Sequence, residues 1–356
     1  MNPAPEYIPG PIALFGSGET APNGRKVYQA LLERLPDRPR IHILETPAGF
    51  ELNSRQVAGN IAAYIDHHLQ NYHPQVDQIP ARKKGTNLSP NNRELLQPLL
   101  TSEVIFLGPG SPTYAVRQLK DSQAWDYLRA CHRAGAGLAL ASASTIAVSA
   151  HALPVYEIYK VGMDIHWQPG LDLLSDYQLS LSFIPHWNNT EGGEELDTSR
   201  CFVGRARFQA MLELLPPDHK MIGIDEHTGM LIDFQQACCQ VIGLGRVTIF
   251  SKGKKQTFPA DSKFKISELG DMQLPEPSDH LPVAVWEEVL RVRREDAEQP
   301  QAPKEITALA EKRLEARKRQ QWEKADSLRE DILQRGWEIQ DTENGYTLLP
   351  GAQSPT

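Results

Sequence analysis

Residues 103–112 have the sequence EVIFLGPGSP, in which an apolar run ends in a glycine-rich turn. Similar apolar runs occur at 11–15 (PIALF), 41–46 (IHILET) and 137–141 (GLALA), and segments with helical periodicity separate them. Strands that alternate with helices in this way predict parallel βαβ units. The runs are continuously apolar, as is expected when helices cover both faces of a sheet. The sequence therefore predicts an α/β domain built on a parallel sheet.

The chain becomes richer in β-structure after residue 150. The predicted strands there are 155–161 (VYEIYKV), 179–184 (LSLSFI), 221–225 (MIGID), 229–234 (GMLIDF) and 240–250 (QVIGLGRVTIF). An amphipathic helix is predicted over 197–216, with Asp197 or Thr198 as its cap.

Composition is that of an ordinary globular protein, with a net charge of −8 over 356 residues, which argues against a nucleic-acid surface along the whole chain. We see no signal peptide and no run of the roughly 18 apolar residues that a membrane helix needs, so we expect no membrane partner. Cys131, Cys201, Cys238 and Cys239 form no CxxC pair. A reducing, cytoplasmic location is therefore expected.

The glycine-rich turn at Gly108-Pro109-Gly110-Ser111 lies between a strand and a helix. Backbone N–H groups at such a helix N-terminus bind anions or stabilise a developing oxyanion. The alternative is a tight turn with no ligand.

Ser142 and Ser144 follow the GLALA strand at its junction with a helix. A nucleophile elbow needs small neighbours because its backbone is sharply turned. Ala141 and Ala143 are small, whereas Leu140 is not. The alternative is an ordinary turn in which Ser142 or Ser144 caps the helix.

Polar residues follow two later strands, with His186-Trp187-Asn188-Asn189 after LSLSFI and Asp225-Glu226-His227 after MIGI. A histidine and a carboxylate from two strand ends are suited to act as a base and the group that orients it. A purely structural histidine is the alternative.

A metal site is a further alternative for these polar residues. Its ligands would come from Asp164, His166, His186, Glu226 and His227. Their spacing matches no zinc signature such as HExxH, so we expect neither a metal nor another cofactor.

The first domain, roughly residues 9–250, resembles the cyanophycinase and aspartyl dipeptidase family of serine peptidases. Gly108-Pro109-Gly110 stands at the family's glycine pair, Ser142-Ala143 at its elbow and His186-Trp187 at its His-aromatic pair. Gly223-Ile224-Asp225-Glu226 matches a further family stretch residue by residue. The resemblance implies an α/β parallel-sheet sandwich of the class I glutamine amidotransferase-like type. It also implies Ser142 as nucleophile, His186 as base and Glu226 as the residue that orients His186.

The sequence departs from the family at Leu140 and Ser144, which replace both elbow glycines, and at Pro109, which interrupts the glycine pair. Together with the strand-end pattern, the resemblance implies a set of residues that bind substrate or stabilise the oxyanion. They are Gly108, Gly110, Ser111, Ala143, Ser144, Asn188, Asn189 and Asp225.

The C-terminal region is dense in charge, with nine Lys or Arg against seven Asp or Glu over residues 303–337. We predict a helix whose apolar stripe comprises Trp322, Ala325, Leu328 and Ile332. Gly336 is expected to end it, and a hairpin is expected around Asn344-Gly345.

Residues 305–349 resemble the C-terminal helical module of cysteinyl-tRNA synthetases. The resemblance rests on Arg313, Ala316-Arg317, Trp322, Ala325-Asp326, Arg329, Asp341-Thr342 and Gly345. It implies tRNA as a partner of this module, although a nearly balanced charge is typical of a solvated face. The sequence has no HIGH-like or KMSKS-like segment, so we do not expect aminoacylation.

Three segments are predicted: an α/β domain over 9–265, a linker with a short helix over 266–304, and the helical module over 305–349. We expect a chain ending near residue 265 to stay folded. The favoured function is a serine hydrolase that acts on a peptide or amide bond of a small substrate. A non-catalytic binding protein, an RNA-interacting protein and a homodimer remain open.

Overall fold

A computed structural model describes residues 7–251, 253–300, 302–342 and 345–351. The chain divides into two compact units between Leu290 and Arg291. None of the described helices is long and apolar enough to cross a lipid bilayer.

The helices of the described residues are, in chain order, α1 Gly24–Leu32, α2 Ser54–His68, α3 Arg93–Leu96, α4 Pro112–Leu119, α5 Gln123–Arg133, α6 Ala143–Ala147, α7 Val155–Tyr159, α8 Arg205–Leu212, α9 Val283–Glu298, α10 Lys304–Lys318 and α11 Trp322–Gln334. The strands are β1 Ile12–Phe15, β2 Arg40–Leu44, β3 Gln75–Ile79, β4 Val104–Leu107, β5 Gly137–Ala141, β6 His151–Ala152, β7 Gln168–Pro169, β8 Leu181–Ile184, β9 Lys220–Ile224, β10 Thr228–Asp233, β11 Cys238–Gly243, β12 Arg246–Ser251, β13 Lys254–Pro259, β14 Lys263–Lys265, β15 Trp337–Thr342 and β16 Gly345–Pro350.

The main sheet has eight strands in the order β14-β11-β10-β1-β5-β4-β2-β3. The five strands from β1 to β3 in this order are parallel, and β10, β11 and β14 extend the sheet in antiparallel pairing. The predicted α/β class with a parallel sheet is confirmed. Parallel pairing of β4 with β5 places the glycine-rich turn and Ser142 at the same carboxyl edge.

Alternate residues of the parallel strands build the core on one face of the main sheet. Phe15, Ile43, Phe106 and Ala139 are among them, and they pack with apolar residues of α1 and α2. The opposite face is also buried, which explains why these strands are continuously apolar in sequence. The sequence analysis did not predict β3, an edge strand whose alternating residues Gln75-Val-Asp-Gln-Ile lack an apolar run.

A second sheet has the order β13-β12-β9-β8, in which β8 and β9 are parallel. The strand predicted over 240–250 is two strands in different sheets, since Gly243-Leu244-Gly245 interrupts it. Gly243 has φ +127°, which favours glycine, and a Cβ on Gly245 would lie 2.5 Å from the Cβ of Asp225.

Two further predicted elements are corrected. The strand expected over 155–161 is the short helix α7. The helix expected over 197–216 begins only at Arg205, because Arg200, Cys201 and Phe202 have left-handed backbone conformations. The N-cap residue is Gly204, so the expected cap at Asp197 or Thr198 is also corrected. The Asp197 carboxylate nevertheless accepts a hydrogen bond from the Arg205 N–H at 3.0 Å.

The predicted boundaries at 265 and 304 fall inside the first and the second unit, respectively. The charged, proline-rich segment and the first half of α9 are held on the rest of the first unit, and the Arg133 guanidinium donates to the Pro277 carbonyl at 3.1 Å. Leu281, Val285 and Trp286 are buried, and the Tyr127 hydroxyl donates a hydrogen bond to Glu288 at 2.6 Å. Prolines and charges thus mark an irregular segment here, rather than a free linker.

A chain that ends at Glu298 is expected to keep the unfolding temperature of the first unit, whereas one that ends at Lys265 should unfold at a much lower temperature. The shorter chain loses the burial of Leu281, Val285 and Trp286, worth about 1.5–3 kcal/mol for each side chain. Scanning calorimetry of both chains checks this. Equal unfolding temperatures would show that residues 266–298 are a linker.

The second unit contains the predicted helical hairpin, α10 and α11, followed by the antiparallel pair β15 and β16. Ile306, Ala310, Ile332 and Ile339 form its core. Asn344 lies outside the described residues, and Gly336 has φ +80° where α11 has ended.

The predicted apolar stripe of α11 is only partly buried. Ala325 and Ile332 are buried, but Trp322 is 56% exposed. The Arg317 guanidinium lies 5.8 Å from the centre of the Trp322 ring. Nearby, the buried Arg313 donates to Asp341 at 2.6 and 3.1 Å, and this pairing lowers the pKa of the Asp341 carboxyl.

Candidate active site

Ser142 occupies a sharp turn between β5 and α6. Its backbone has φ +51° and ψ −107°, and its side chain makes no helix-capping hydrogen bond. Such a conformation is strained for a residue with a Cβ and recurs where a strand-to-helix turn exposes a nucleophile. The elbow forms without flanking glycines, because Leu140 is fully buried in the sheet and Ser144 is small enough to fit against Gly108.

Glycine at position 142 should relieve this strain. We expect Ser142→Gly to have a free energy of unfolding higher by about 1 kcal/mol than Ser142→Ala, since a strained backbone costs about 1–3 kcal/mol and glycine avoids it. The matched pair Ser144→Gly and Ser144→Ala should show the opposite order, because Ser144 is helical. Urea denaturation gives both differences. Equal stability of the two variants at 142 would contradict a strained elbow.

His186 follows β8, and its backbone is fixed in a left-handed conformation with φ +51°. Its N–H donates to the Gly16 carbonyl at 3.0 Å, and its carbonyl accepts from the Cys201 N–H at 3.1 Å. The ring is directed at the elbow, with Nε2 3.0 Å from the Ser142 hydroxyl.

Glu226 follows β9 and approaches the other side of the same ring. Its Oε1 lies 3.1 Å from His186 Nδ1 and accepts a hydrogen bond from the Asn189 amide at 2.9 Å. Asn188 holds the Glu226 backbone, since its Oδ1 accepts from the Glu226 N–H at 2.7 Å. The hydrogen bond with His186 lowers the pKa of the Glu226 carboxyl, against the effect of partial burial, and Asn189 contributes to the same shift.

The tautomer of His186 follows from these partners. An ionised carboxylate only accepts hydrogen bonds, so Nδ1 carries the proton that faces Glu226. Nε2 is then the acceptor for the Ser142 hydroxyl. The arrangement therefore allows the Ser142 hydroxyl to give its proton to His186 Nε2, while Glu226 accepts the hydrogen bond from Nδ1.

The glycine-rich turn has a fixed backbone. Gly110 has φ +150°, and a Cβ there would lie 2.1 Å from the Pro47 carbonyl oxygen. Ser111 caps α4, because its hydroxyl accepts from the Tyr114 N–H at 3.2 Å. Among the described residues, neither the Gly110 N–H nor the Ala143 N–H donates to another protein group. Within the described residues, both N–H groups are therefore without an internal acceptor.

Five of the residues expected to bind substrate have internal partners instead, namely Asn188 and Asn189, which bond to Glu226 as described above, and Ser111, Ser144 and Asp225. The Ser144 hydroxyl is buried and donates to the Gly108 carbonyl at 2.6 Å, and Ser111 is a helix cap. Asp225 is buried, which raises the pKa of its carboxyl, and it accepts from the Arg246 N–H at 3.0 Å. Asp225 thus holds the turn before β12 and does not reach the Ser142 hydroxyl.

The alternative metal ligands do not form a cluster. Within the described ranges, no three His, Cys, Asp or Glu side chains are grouped as a metal site requires. His166 bonds locally, with Nδ1 2.8 Å from the Asp164 carbonyl oxygen.

The sequence analysis missed the residues that position the histidine and the carboxylate. Gly16 accepts from the His186 N–H, and the Ser17 hydroxyl accepts from the His227 N–H at 2.9 Å. Their signal is Gly16-Ser17-Gly18 directly after β1, another strand that ends at the site edge. The left-handed turn at 200–202 had no signal, because none of its residues is a glycine or an asparagine.

The first unit thus has an α/β fold with a Ser–His–Glu arrangement at the carboxyl edge of its parallel strands. The crystal structure of a peptidase from an acI-B1 Actinobacterium has a similar fold, with a TM-score of 0.59 and 20% identity over 73% of this chain and 98% of that chain. A putative peptidase E protein from Listeria monocytogenes aligns with a TM-score of 0.43 and 14% identity over 70% of this chain and 98% of that chain.

The sequence comparisons give matches over short segments. No family model matches the chain. A cysteine–tRNA ligase of Opitutus terrae is 39% identical over 61 residues, and one of Chlamydia trachomatis is 47% identical over 50 residues. These matches cover 17% and 14% of this chain, and the chain spans 13% and 10% of the length of those two ligases. They agree with the resemblance seen at residues 305–349.

Proposed function

We propose that the first unit is a serine hydrolase that cleaves a peptide or amide bond of a small substrate. The observation that carries this proposal is the geometry of Ser142, His186 and Glu226, which are linked at 3.0 and 3.1 Å. A serine hydroxyl is a poor nucleophile until a base removes its proton, and a neutral imidazole is suited to do so. The alternative of a non-catalytic binding pocket gives no reason for the strained backbone at Ser142.

In the acylation step, the Ser142 oxygen attacks the substrate carbonyl carbon while its proton passes to His186 Nε2. Glu226 stabilises the resulting imidazolium and keeps Nδ1 protonated. The same Nε2 proton is then donated to the leaving amine when the carbon–nitrogen bond breaks. A water molecule, activated by His186, hydrolyses the acyl-enzyme by the reverse transfers and releases Ser142.

The negative charge on the carbonyl oxygen requires donors that are already in place. The N–H groups of Gly110 and Ala143 are proposed to supply them, because both flank the elbow and lack protein partners. Loss of one such donor typically costs about 10²–10³ in kcat. No residue with a Cβ fits at Gly110, because the Cβ would lie 2.1 Å from the Pro47 carbonyl oxygen.

Hydrolysis is tested with a panel of dipeptides, including aspartyl dipeptides, and of blocked amino-acid amides, with release of free amine as the readout. A short-chain fluorophosphonate tests the serine independently of the leaving group. Turnover or covalent labelling that ends on Ser142→Ala substitution is expected. Absence of both in the parent protein would refute the proposal.

A second candidate function concerns the second unit, which we propose contacts tRNA. Its support is the short likeness to cysteine–tRNA ligases and the exposed Trp322 ring beside Arg317. Exposed aromatic rings stack on unpaired bases, and phosphate contacts make such binding strongly salt-dependent. A gel shift with total tRNA should show binding that weakens steeply between low and moderate salt. No shift at low salt would remove this candidate.

A further inference from the structure

Six of the eleven large apolar side chains that are exposed in the described part of the first unit lie on two short segments, 50–52 and 156–163. The residues are Phe50, Leu52, Tyr156, Tyr159, Val161 and Met163. Within the described part of the first unit, Phe50, Tyr156 and Tyr159 are the only large aromatic side chains that are exposed. Exposed apolar side chains that are concentrated on short segments beside a site are typical of a binding surface.

Segment 50–52 lies beside the glycine-rich turn. The Ser111 N–H donates to the Pro47 carbonyl at 3.1 Å, which fixes the chain just before Phe50. The Phe50 ring lies 5.1 Å from the ring of Tyr114, in the first turns of α4. Phe50 therefore borders the proposed oxyanion side of the site.

Segment 156–163 lies on the histidine side. Tyr159 packs on Phe202 with 5.4 Å between ring centres, and Phe202 lies 6.1 Å from the His186 ring. Tyr156 lies in the same short helix as Tyr159, and its partial burial raises the pKa of its phenol. The apolar side chains thus border the site from both sides.

A strained turn presents Phe202 to the histidine. Arg200, Cys201 and Phe202 have φ of +61°, +57° and +67°, which is unfavourable for each of them. Three backbone bonds hold the turn, from Arg200 to Trp187, from Cys201 to His186 and from Phe202 to Thr198. Strain of this kind persists where surrounding contacts enforce it, and it clusters at functional sites.

We propose that these aromatic residues bind an apolar, preferably aromatic, side chain of the substrate next to the scissile bond. This inference rests on the proposed hydrolase function. The competing choice is an acidic side chain in the cavity of about 550 Å³ that Gly49, Arg82 and Lys83 help to line. Arg82 is already paired with the buried Glu45 at 2.6 Å. Because this pairing offsets the positive charge of Arg82, the cavity attracts a substrate carboxylate less strongly than its lining residues suggest.

The experiment compares inactivation rates for two aminoalkyl diphenyl phosphonates, one with the side chain of phenylalanine and one with that of aspartate. A short-chain fluorophosphonate serves as the probe without a side chain. We expect the phenylalanine probe to react at least about tenfold faster than the aspartate probe, a ratio within reach of one apolar pocket. Tyr159→Ala should slow the phenylalanine probe several-fold and slow the fluorophosphonate far less. The control Leu214→Ala, an exposed apolar residue outside the two segments, should change neither rate.

The outcomes separate the two claims. The apolar site is overturned if the fluorophosphonate labels the protein but the aspartate probe reacts as fast as the phenylalanine probe or faster. It is also overturned if the fluorophosphonate labels the protein and neither phosphonate reacts. In both cases the hydrolase proposal stands. An unchanged phenylalanine rate in both Tyr159→Ala and Tyr156→Ala also overturns the apolar site. Failure of the fluorophosphonate itself overturns the hydrolase and this inference together.

Discussion

Ser142→Ala is expected to lower kcat/KM for any amide substrate by about 10⁴- to 10⁶-fold, the range seen when the nucleophile of a catalytic triad is removed. The fold should be unaffected, since the Ser142 side chain makes no helix-capping bond and contacts only the His186 ring among the described protein hydrogen bonds. Steady-state kinetics measures kcat/KM of the parent protein and the variant. Equal unfolding temperatures of the two proteins show that the fold is unchanged.

Ser144→Ala is the matched control for this substitution. Ser144 is two residues after Ser142 and has the same side chain, but its hydroxyl donates to the Gly108 carbonyl. Its loss should cost stability of about 1–3 kcal/mol, because a buried carbonyl loses its donor. Activity of the folded variant should stay within tenfold of the parent. A collapse of activity in Ser144→Ala with full activity in Ser142→Ala would reverse the assignment.

Glu226→Gln is expected to lower kcat by about 10³- to 10⁴-fold with little change in KM, as in triads whose carboxylate is replaced by an amide. The amide no longer holds His186 with Nδ1 protonated, and it carries no charge to stabilise the imidazolium. Asn189 and Asn188 still bind the side chain and the backbone at this position, so the fold should persist.

Glu191→Gln provides the control for Glu226→Gln. Glu191 is an exposed carboxylate two residues beyond Asn189, and it has no hydrogen bond to His186. The same loss of charge there should leave kcat within about twofold. Equal losses at both positions would mean that the net charge of the region matters, and that the bond to His186 does not.

Much of this site could be predicted from the sequence, because each residue of the Ser–His–Glu arrangement follows an apolar strand. Ser142 follows β5 of the main sheet, whereas His186 and Glu226 follow the parallel strands β8 and β9 of the second sheet. The family resemblance implied that the three residues meet, and the strand pattern indicated only that a histidine and a carboxylate follow two strand ends. The short helix α7 and the turn at 200–202 could not be predicted from the sequence. In both segments tertiary contacts override local preference: β-branched and aromatic residues suggested a strand at 155–161, and no glycine signalled the left-handed turn.

Side-chain roles within the site were also less predictable than positions. Asn188, Asn189 and Asp225 carry the polar groups of a binding site, yet they bond to Glu226 and to the Arg246 backbone. Sequence shows that polar groups lie at a strand end, whereas only the packing shows which of them are used internally. The domain boundary was difficult to predict for the same reason. Trp286 is buried because of the surface on which it packs, and the surrounding prolines give no indication of that surface.

The most direct test of the central claim is the position of a covalent adduct. The whole chain is reacted with a short-chain fluorophosphonate, and intact mass followed by peptide mapping locates the modified residue. The account predicts one adduct per chain, on Ser142, which is absent from Ser142→Ala and retained in Ser144→Ala. An adduct on another serine, or an unmodified protein under conditions that label a control serine hydrolase, would contradict it.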